Sequence, residues 1–180
     1  DAVAESEKPK AREMVLAFLK ANASQRARFW VRVNPLDGPH TARDLAAIIP
    51  GAPGGIMMPK ARNRADVETV ANYLTALEAA SGAEIGSTSI FLLAAETAEG
   101  ALSMKEYAGA PRVVAMSWGP EDLSAELGAS TNRTETGAYA FTYELTRSLC
   151  LLGASVAGVP AIETIEADFR NEAALRTKAA

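Results

Sequence analysis

One cysteine and one histidine occur among the 180 residues of this chain, and each scarcity excludes some chemistry. Cys150 alone cannot close an internal disulfide, which suits a reducing, cytoplasmic setting. With His40 as the single imidazole there is no His/Cys cluster of the kind zinc requires. Positive charge is not in excess either: 18 Lys and Arg against 22 Asp and Glu leave a formal net charge of −4, so a nucleic-acid partner is not expected. No apolar run approaches the ~20 residues of a membrane-spanning helix. The glycines are scattered through turns and form neither a phosphate loop nor a dinucleotide fingerprint. The opening Asp1-Ala2-Val3-Ala4-Glu5-Ser6-Glu7-Lys8 is acidic and lacks the basic and apolar regions of a signal peptide. It also lacks an initiating Met, as expected of a segment from a longer chain.

What is present is an ordinary globular composition, 48% apolar and 22% charged, in a length that suits one domain with a sizeable core. Strand-like and helix-like segments alternate along it. Helical spacing of apolar residues is read over Lys8–Lys20, Thr41–Ile49, Arg64–Ala80 (with Gly82 as its stop), Gly100–Tyr107, Leu123–Leu127, Thr136–Leu152 and Phe169–Lys178. Short apolar runs at Phe29–Asn34, Gly54–Met58, Ser89–Ala95, Arg112–Trp118 and Ser155–Ile162 read as strands buried on both faces. Alternation of this kind predicts βαβ units and a parallel sheet. A complete (β/α)₈ barrel needs about 250 residues. Five strands therefore predict either an open α/β sheet or part of a barrel, in a single domain over residues 1–180.

The polar residues that follow each strand carry the chemistry. In parallel α/β folds, sites gather at the carboxyl ends of the strands. Those ends deliver Arg32, Lys60, Glu96, Glu121-Asp122 and Glu163 in order. Charges at strand ends often do no more than meet solvent, and for Lys60 and Glu163 that reading is as good as a functional one. Glu96 and Asp122 differ, because each closes a strongly apolar strand, where a carboxylate is costly unless a cation or proton compensates it. Two carboxylates from neighbouring strand ends suit a hard divalent ion such as Mg²⁺, with coordination positions left for water or substrate. Arg32 offers a planar guanidinium that can grip a carboxylate or an enolate with two hydrogen bonds; otherwise it forms a salt bridge to a neighbouring acid. His40 is expected to decorate a turn or begin a helix, and Cys150, in Leu149-Cys150-Leu151-Leu152, to be a buried structural thiol. Arg62, Arg64 and Arg133 are as readily solvated surface as ligand contacts.

Taken together, Arg32-Val33-Asn34-Pro35-Leu36-Asp37, Met58-Pro59-Lys60, Glu96-Thr97-Ala98-Glu99-Gly100, Trp118-Gly119-Pro120-Glu121-Asp122-Leu123 and Gly158-Val159-Pro160-Ala161-Ile162-Glu163-Thr164 resemble the citrate lyase beta-subunit-like family of the HpcH/HpaI aldolase superfamily. Asp1-Ala2-Val3, followed by Glu7-Lys8-Pro9-Lys10-Ala11-Arg12, resembles the acidic segment and helix just after that family's second strand. The resemblance covers nearly the whole chain. It implies a TIM (β/α)₈ barrel, of which this chain would be roughly the second to seventh βα units. It implies Mg²⁺ held by Glu96 and Asp122, Arg32 and Asp1 in catalysis, and Arg32, Lys60 and Glu163 in contact with substrate. Homotrimers or homohexamers are expected on the same basis. Departures from the family pattern are Glu163 in place of Asp, Ala61-Arg62 where Val-Glu is common, and Ala94-Ala95 where larger aliphatics precede the glutamate.

The expected activity is cleavage of a 3-hydroxyacyl-CoA thioester of the malyl-, citramalyl- or citryl-CoA type. Alternatives are a pyruvate-type 2-oxo acid aldolase working without CoA, a thioester hydrolase, and a non-catalytic homologue. Retention of Glu96, Asp122 and Arg32 together weighs against the last.

Overall fold

A computed structural model describes residues 1–166 and 170–179. Five parallel strands pair in sequence order, β1 (Trp30–Arg32), β2 (Gly55–Met58), β3 (Ser89–Ala95), β4 (Val113–Trp118) and β5 (Ala161–Ile162). The helices are α1 (Lys8–Ala21), α2 (Thr41–Ile48), α3 (Arg64–Ser81), α4 (Ala98–Leu102), α5 (Pro120–Glu126), α6 (Phe141–Ala157) and α7 (Glu172–Ala179). The result is an α/β fold on an open sheet. The barrel that the family resemblance implies is not confirmed, because the five described strands form an open sheet.

Alternation along the strands separates two faces. Val33, Ile56, Met58, Ile90, Leu92 and Met116 enter one core with Leu19, Leu45, Val70, Leu74, Tyr143 and Cys150 from the helices. Met57, Phe91, Leu93 and Ser117 point the other way and line a cleft. Trp30, on that second face, meets Phe91 edge-on at 6.5 Å. Among the described residues the helices thus pack against one face of the sheet. A purely parallel sheet is normally covered on both, and exposed apolar side chains include Met14, Phe18 and Trp30 beside β1, and Leu151, Leu152 and Ile162 beside β5.

Local chemistry sets the boundaries. Asn63 caps α3 by accepting the Asp66 N–H, and Gly82 ends it in the left-handed conformation. Glu78, fully buried on α3, accepts both guanidinium nitrogens of Arg112 (2.9 and 2.8 Å) and the N–H groups of Gly86 and Thr88. This ties the end of α3 to the entrances of β3 and β4, and nothing in the sequence pattern marked it.

Several expected boundaries move. The segment read as helix from Thr136 begins at Phe141, because the residues before it form a turn. In that turn the Gly137 N–H donates to Thr134 O, the Thr134 N–H donates to Ala138 O, and Arg133 bridges Tyr139. The same helix continues to Ala157, so the expected strand from Ser155 shrinks to Ala161–Ile162. Gly158 at φ 71° is what stops it: the Val159 N–H turns back to Ala154 O at 3.0 Å. Gly100–Tyr107 divides into α4 and a 3₁₀ turn at Met104–Tyr107. The short helix expected from Leu123 starts earlier, with Pro120 in its first turn. The tail helix runs over Glu172–Ala179; Phe169, where it was expected to begin, lies outside the described residues.

Candidate functional site

Pairing of Ala95 with Trp118 sets the ends of β3 and β4 side by side, so Glu96 and Gly119 emerge as neighbours. The Glu96 carboxylate lies against Gly119: a Cβ there would stand 2.6 Å from Glu96 Cγ and 2.9 Å from its Oε1. Glu96 is only 7% exposed. Its Oε2 accepts the Lys60 N–H at 2.9 Å, which the chain reaches by turning Lys60 to φ 52° just after β2. Burial pushes the Glu96 carboxyl above its usual range and the charge of Asp122 adds to the rise, against the Lys60 N–H. Asp122 sits in the first turn of α5, and its Oδ1 pairs with Lys60 Nζ at 2.9 Å. That hydrogen bond is the main reason the Lys60 ammonium is raised.

Glu96, Asp122, Arg32 and Glu163 line one cleft of about 270 Å³, on the face of the sheet opposite the helices. Lys60 lines the adjoining hollow, which shares Asp122. The structure therefore brings together five of the six residues singled out from the sequence. The sixth, Asp1, does not line the cleft. It stands behind Arg32, whose Nε it holds at 2.9 Å (Oδ1) and 2.8 Å (Oδ2). The salt bridge weighed for Arg32 is thus present, with Asp1 as its acid.

Glu163 follows β5 and accepts three hydrogen bonds: from Trp118 Nε1 (2.6 Å), Arg147 Nε (2.6 Å) and the Thr164 N–H (2.8 Å). Burial alone would raise its carboxyl, but these donors outweigh it and hold the group below the usual range. Arg147, from α6, was not among the sequence candidates. Neither was the group behind Arg32, where Lys8 Nζ donates to Asn34 Oδ1 (2.7 Å), the Asn34 side chain and N–H both donate to Asp44, and Arg12 pairs with Asp44 at 2.8 Å. His40 begins α2 as expected, its ring between Arg12 and Glu5. Cys150 is buried, and burial pushes its thiol up to about 11, as befits a structural thiol. Arg62 pairs with Asp66, Arg64 with Glu68, and Arg133 lies 4.1 Å over the Tyr139 ring.

The donor set fits a hard divalent cation. Two carboxylates share one cleft, both are oxygen donors, and the buried one is raised by its surroundings in a way that a dication would relieve. Among the described residues no group of three or more His, Cys, Asp or Glu gathers as a metal cage.

Comparison with known proteins bears on this arrangement. The sequence profile described as HpcH/HpaI aldolase/citrate lyase matches residues 1–180. The citrate lyase subunit beta-like protein of Mycobacterium tuberculosis is 34% identical over 179 residues, 99% of this chain and 58% of that protein. The malyl-CoA/beta-methylmalyl-CoA/citramalyl-CoA lyase of Chloroflexus aurantiacus is 36% identical over 142 residues, 76% of this chain and 40% of that one. Among solved structures, the protein CitE from M. tuberculosis in complex with magnesium and acetoacetate superposes with a TM-score of 0.80 at 34% identity, covering 99% of this chain and 66% of that chain. The chain spans somewhat more than half the length of the M. tuberculosis relative.

Proposed function

The chain belongs to the HpcH/HpaI aldolase/citrate lyase family, and from that premise we propose that it carries the metal-bearing part of a Mg²⁺-dependent carbon–carbon lyase acting on a 3-hydroxyacyl-CoA thioester. The observation that carries the proposal is one cleft holding the Glu96 and Asp122 carboxylates with the Arg32 guanidinium. A similar protein crystallised with magnesium and acetoacetate, and a similar lyase of malyl-CoA and citramalyl-CoA, support it.

Magnesium held by Glu96 and Asp122 would supply Lewis acidity, lowering the pKa of a substrate hydroxyl. The residues of the chain supply the rest. Arg32, half-exposed at the end of β1 and oriented by Asp1, meets the anionic oxygens of the substrate as charge shifts. Lys60 and Glu163 flank that position and contact the substrate's polar groups. In the reaction the hydroxyl proton passes to a base and the C–O bond becomes a carbonyl. The electron pair of the breaking carbon–carbon bond moves onto the thioester carbon unit as an enolate. Protonation of that enolate gives an acyl-CoA, and the other product is a 2-oxo acid. The candidates for the base are a carboxylate near Asp1 and a residue outside this chain; Asp1 itself is held behind Arg32 in the salt bridge.

The open sheet is read here as an arc of a (β/α)₈ barrel. Sequential parallel strand order, helices on one face and apolar residues left bare along both edges support that reading. Further βα units would cover those edges and turn the cleft face inward. A homotrimer or homohexamer is part of the same proposal.

Incubating the purified protein with a panel of CoA thioesters and free hydroxy-oxo acids, with Mg²⁺ and with EDTA, tests it. Release of an acyl-CoA and a 2-oxo acid, lost on chelation, is expected. Turnover of free oxo acids alone would favour the aldolase reading. Free acid without a 2-oxo acid would indicate a thioesterase, and turnover unchanged by complete chelation would reject the metal.

A further inference from the structure

Lys60 engages both candidate metal ligands at once, and its two contacts differ in permanence. The backbone contact is fixed by the path of the chain: at φ 52° its N–H points at Glu96 Oε2, a carboxylate almost sealed from solvent. The side-chain contact is not fixed. Lys60 and Asp122 are 42% and 45% exposed, the lysine stem is long and rotatable, and exposed pairs of this kind are weakly held. A second acidic residue, Asp37, lines the same hollow as Lys60 and Asp122, so the ammonium has another carboxylate to turn to.

The geometry points to Lys60 as a resident counter-cation: its ammonium competes with a divalent ion for Asp122, and ion uptake is coupled to its swing from Asp122 toward Asp37. This rests on the metal reading above and adds a regulator of affinity to it. An ammonium beside a dication in a half-buried cleft is repelled, so the two do not share Asp122. The Glu96 contact stays in place throughout, because the Lys60 N–H that makes it does not depend on the side chain. Lys60 therefore neutralises part of the acidic pair and sets the ion affinity below what two carboxylates alone would give.

The test is Mn²⁺ binding to the purified protein, read by the electron paramagnetic resonance of the free ion, with Mg²⁺ as competitor. Lys60→Met keeps the stem and removes the charge; it is expected to bind the ion about fivefold or more tightly at low salt. Lys60→Arg, which keeps the charge, is expected to stay within about twofold of the parent. Lys60→Gln serves in place of the Met variant if that one does not fold. Unchanged or weaker binding by Lys60→Met and Lys60→Gln, with Asp122→Asn abolishing binding, overturns the competition and leaves the metal site standing. No Mn²⁺ bound by the parent, as by Asp122→Asn, overturns the metal reading and this inference with it.

Discussion

Gly119→Ala adds one methyl group to the site and no charge. The backbone at Gly119 (φ −134°, ψ 94°) suits any residue, so the substitution costs no backbone strain. Its Cβ would nevertheless stand 2.6 Å from Glu96 Cγ and 2.9 Å from Oε1. Carbon contacts become favourable near 3.5 Å, so the Glu96 side chain must retreat by about 0.9 Å. It has little room to do so, being buried and anchored by the Lys60 N–H. Misplacement of a reacting group by about 1 Å can cost ~100-fold in rate, and overpacking of this kind about 1–3 kcal/mol in stability. Steady-state kinetics at saturating Mg²⁺, an ion-binding titration and a thermal melt on the same preparation separate the two effects. The expected result is a kcat lower by about 100-fold and weakened ion binding, in a protein that still melts cooperatively. A folded variant with kcat and ion affinity within about twofold of the parent would refute the idea that the position of Glu96 matters.

Asp122→Asn removes a ligand while keeping its shape; turnover should fall by about 100-fold or more, and retained Mg²⁺-dependent turnover would count against its role. Arg112→Met strands the fully buried Glu78 carboxylate and should destabilise the fold by about 3–5 kcal/mol in denaturant titration; a loss under about 1 kcal/mol would contradict the buried pairing. Glu78 also sets an acid limit. Burial alone would raise its carboxyl, but Arg112 and the Gly86 and Thr88 N–H groups hold it at about 2 instead of 4.5. The resulting stability, about 3 kcal/mol, is complete above pH 4.5 and is lost as the pH falls toward 2; pH-dependent melts should show that loss in the parent and not in Glu78→Gln. Arg147→Met removes one donor from Glu163, so the carboxyl should titrate at higher pH; Trp118 fluorescence reads this through its indole N–H, and an unmoved midpoint would exclude the contact.

The strands that matter for the site were legible because each is a short apolar run closed by a charge, and Arg32, Glu96 and Asp122 could be placed by counting from those ends. The register that makes Glu96 and Asp122 share a cleft was not, because it depends on the pairing of Ala95 with Trp118 across two chain segments. Gly119 read only as turn chemistry; its closeness to Glu96 is a tertiary fact. Arg147 lies on the helix that returns after the fourth strand, and no local pattern tells which acid it will meet. The fifth strand was overread because Ser155-Val156-Ala157 is apolar enough for either state, and Gly158 rather than propensity decided it. Family resemblance implies an arc of a barrel, and the five described strands form an open sheet.

Anomalous diffraction from crystals grown with Mn²⁺ would locate the ion directly. A single peak about 2.1–2.3 Å from oxygens of both Glu96 and Asp122, with Lys60 Nζ moved off Asp122, is expected. A peak touching only one of the two, or found elsewhere in the molecule, would contradict it.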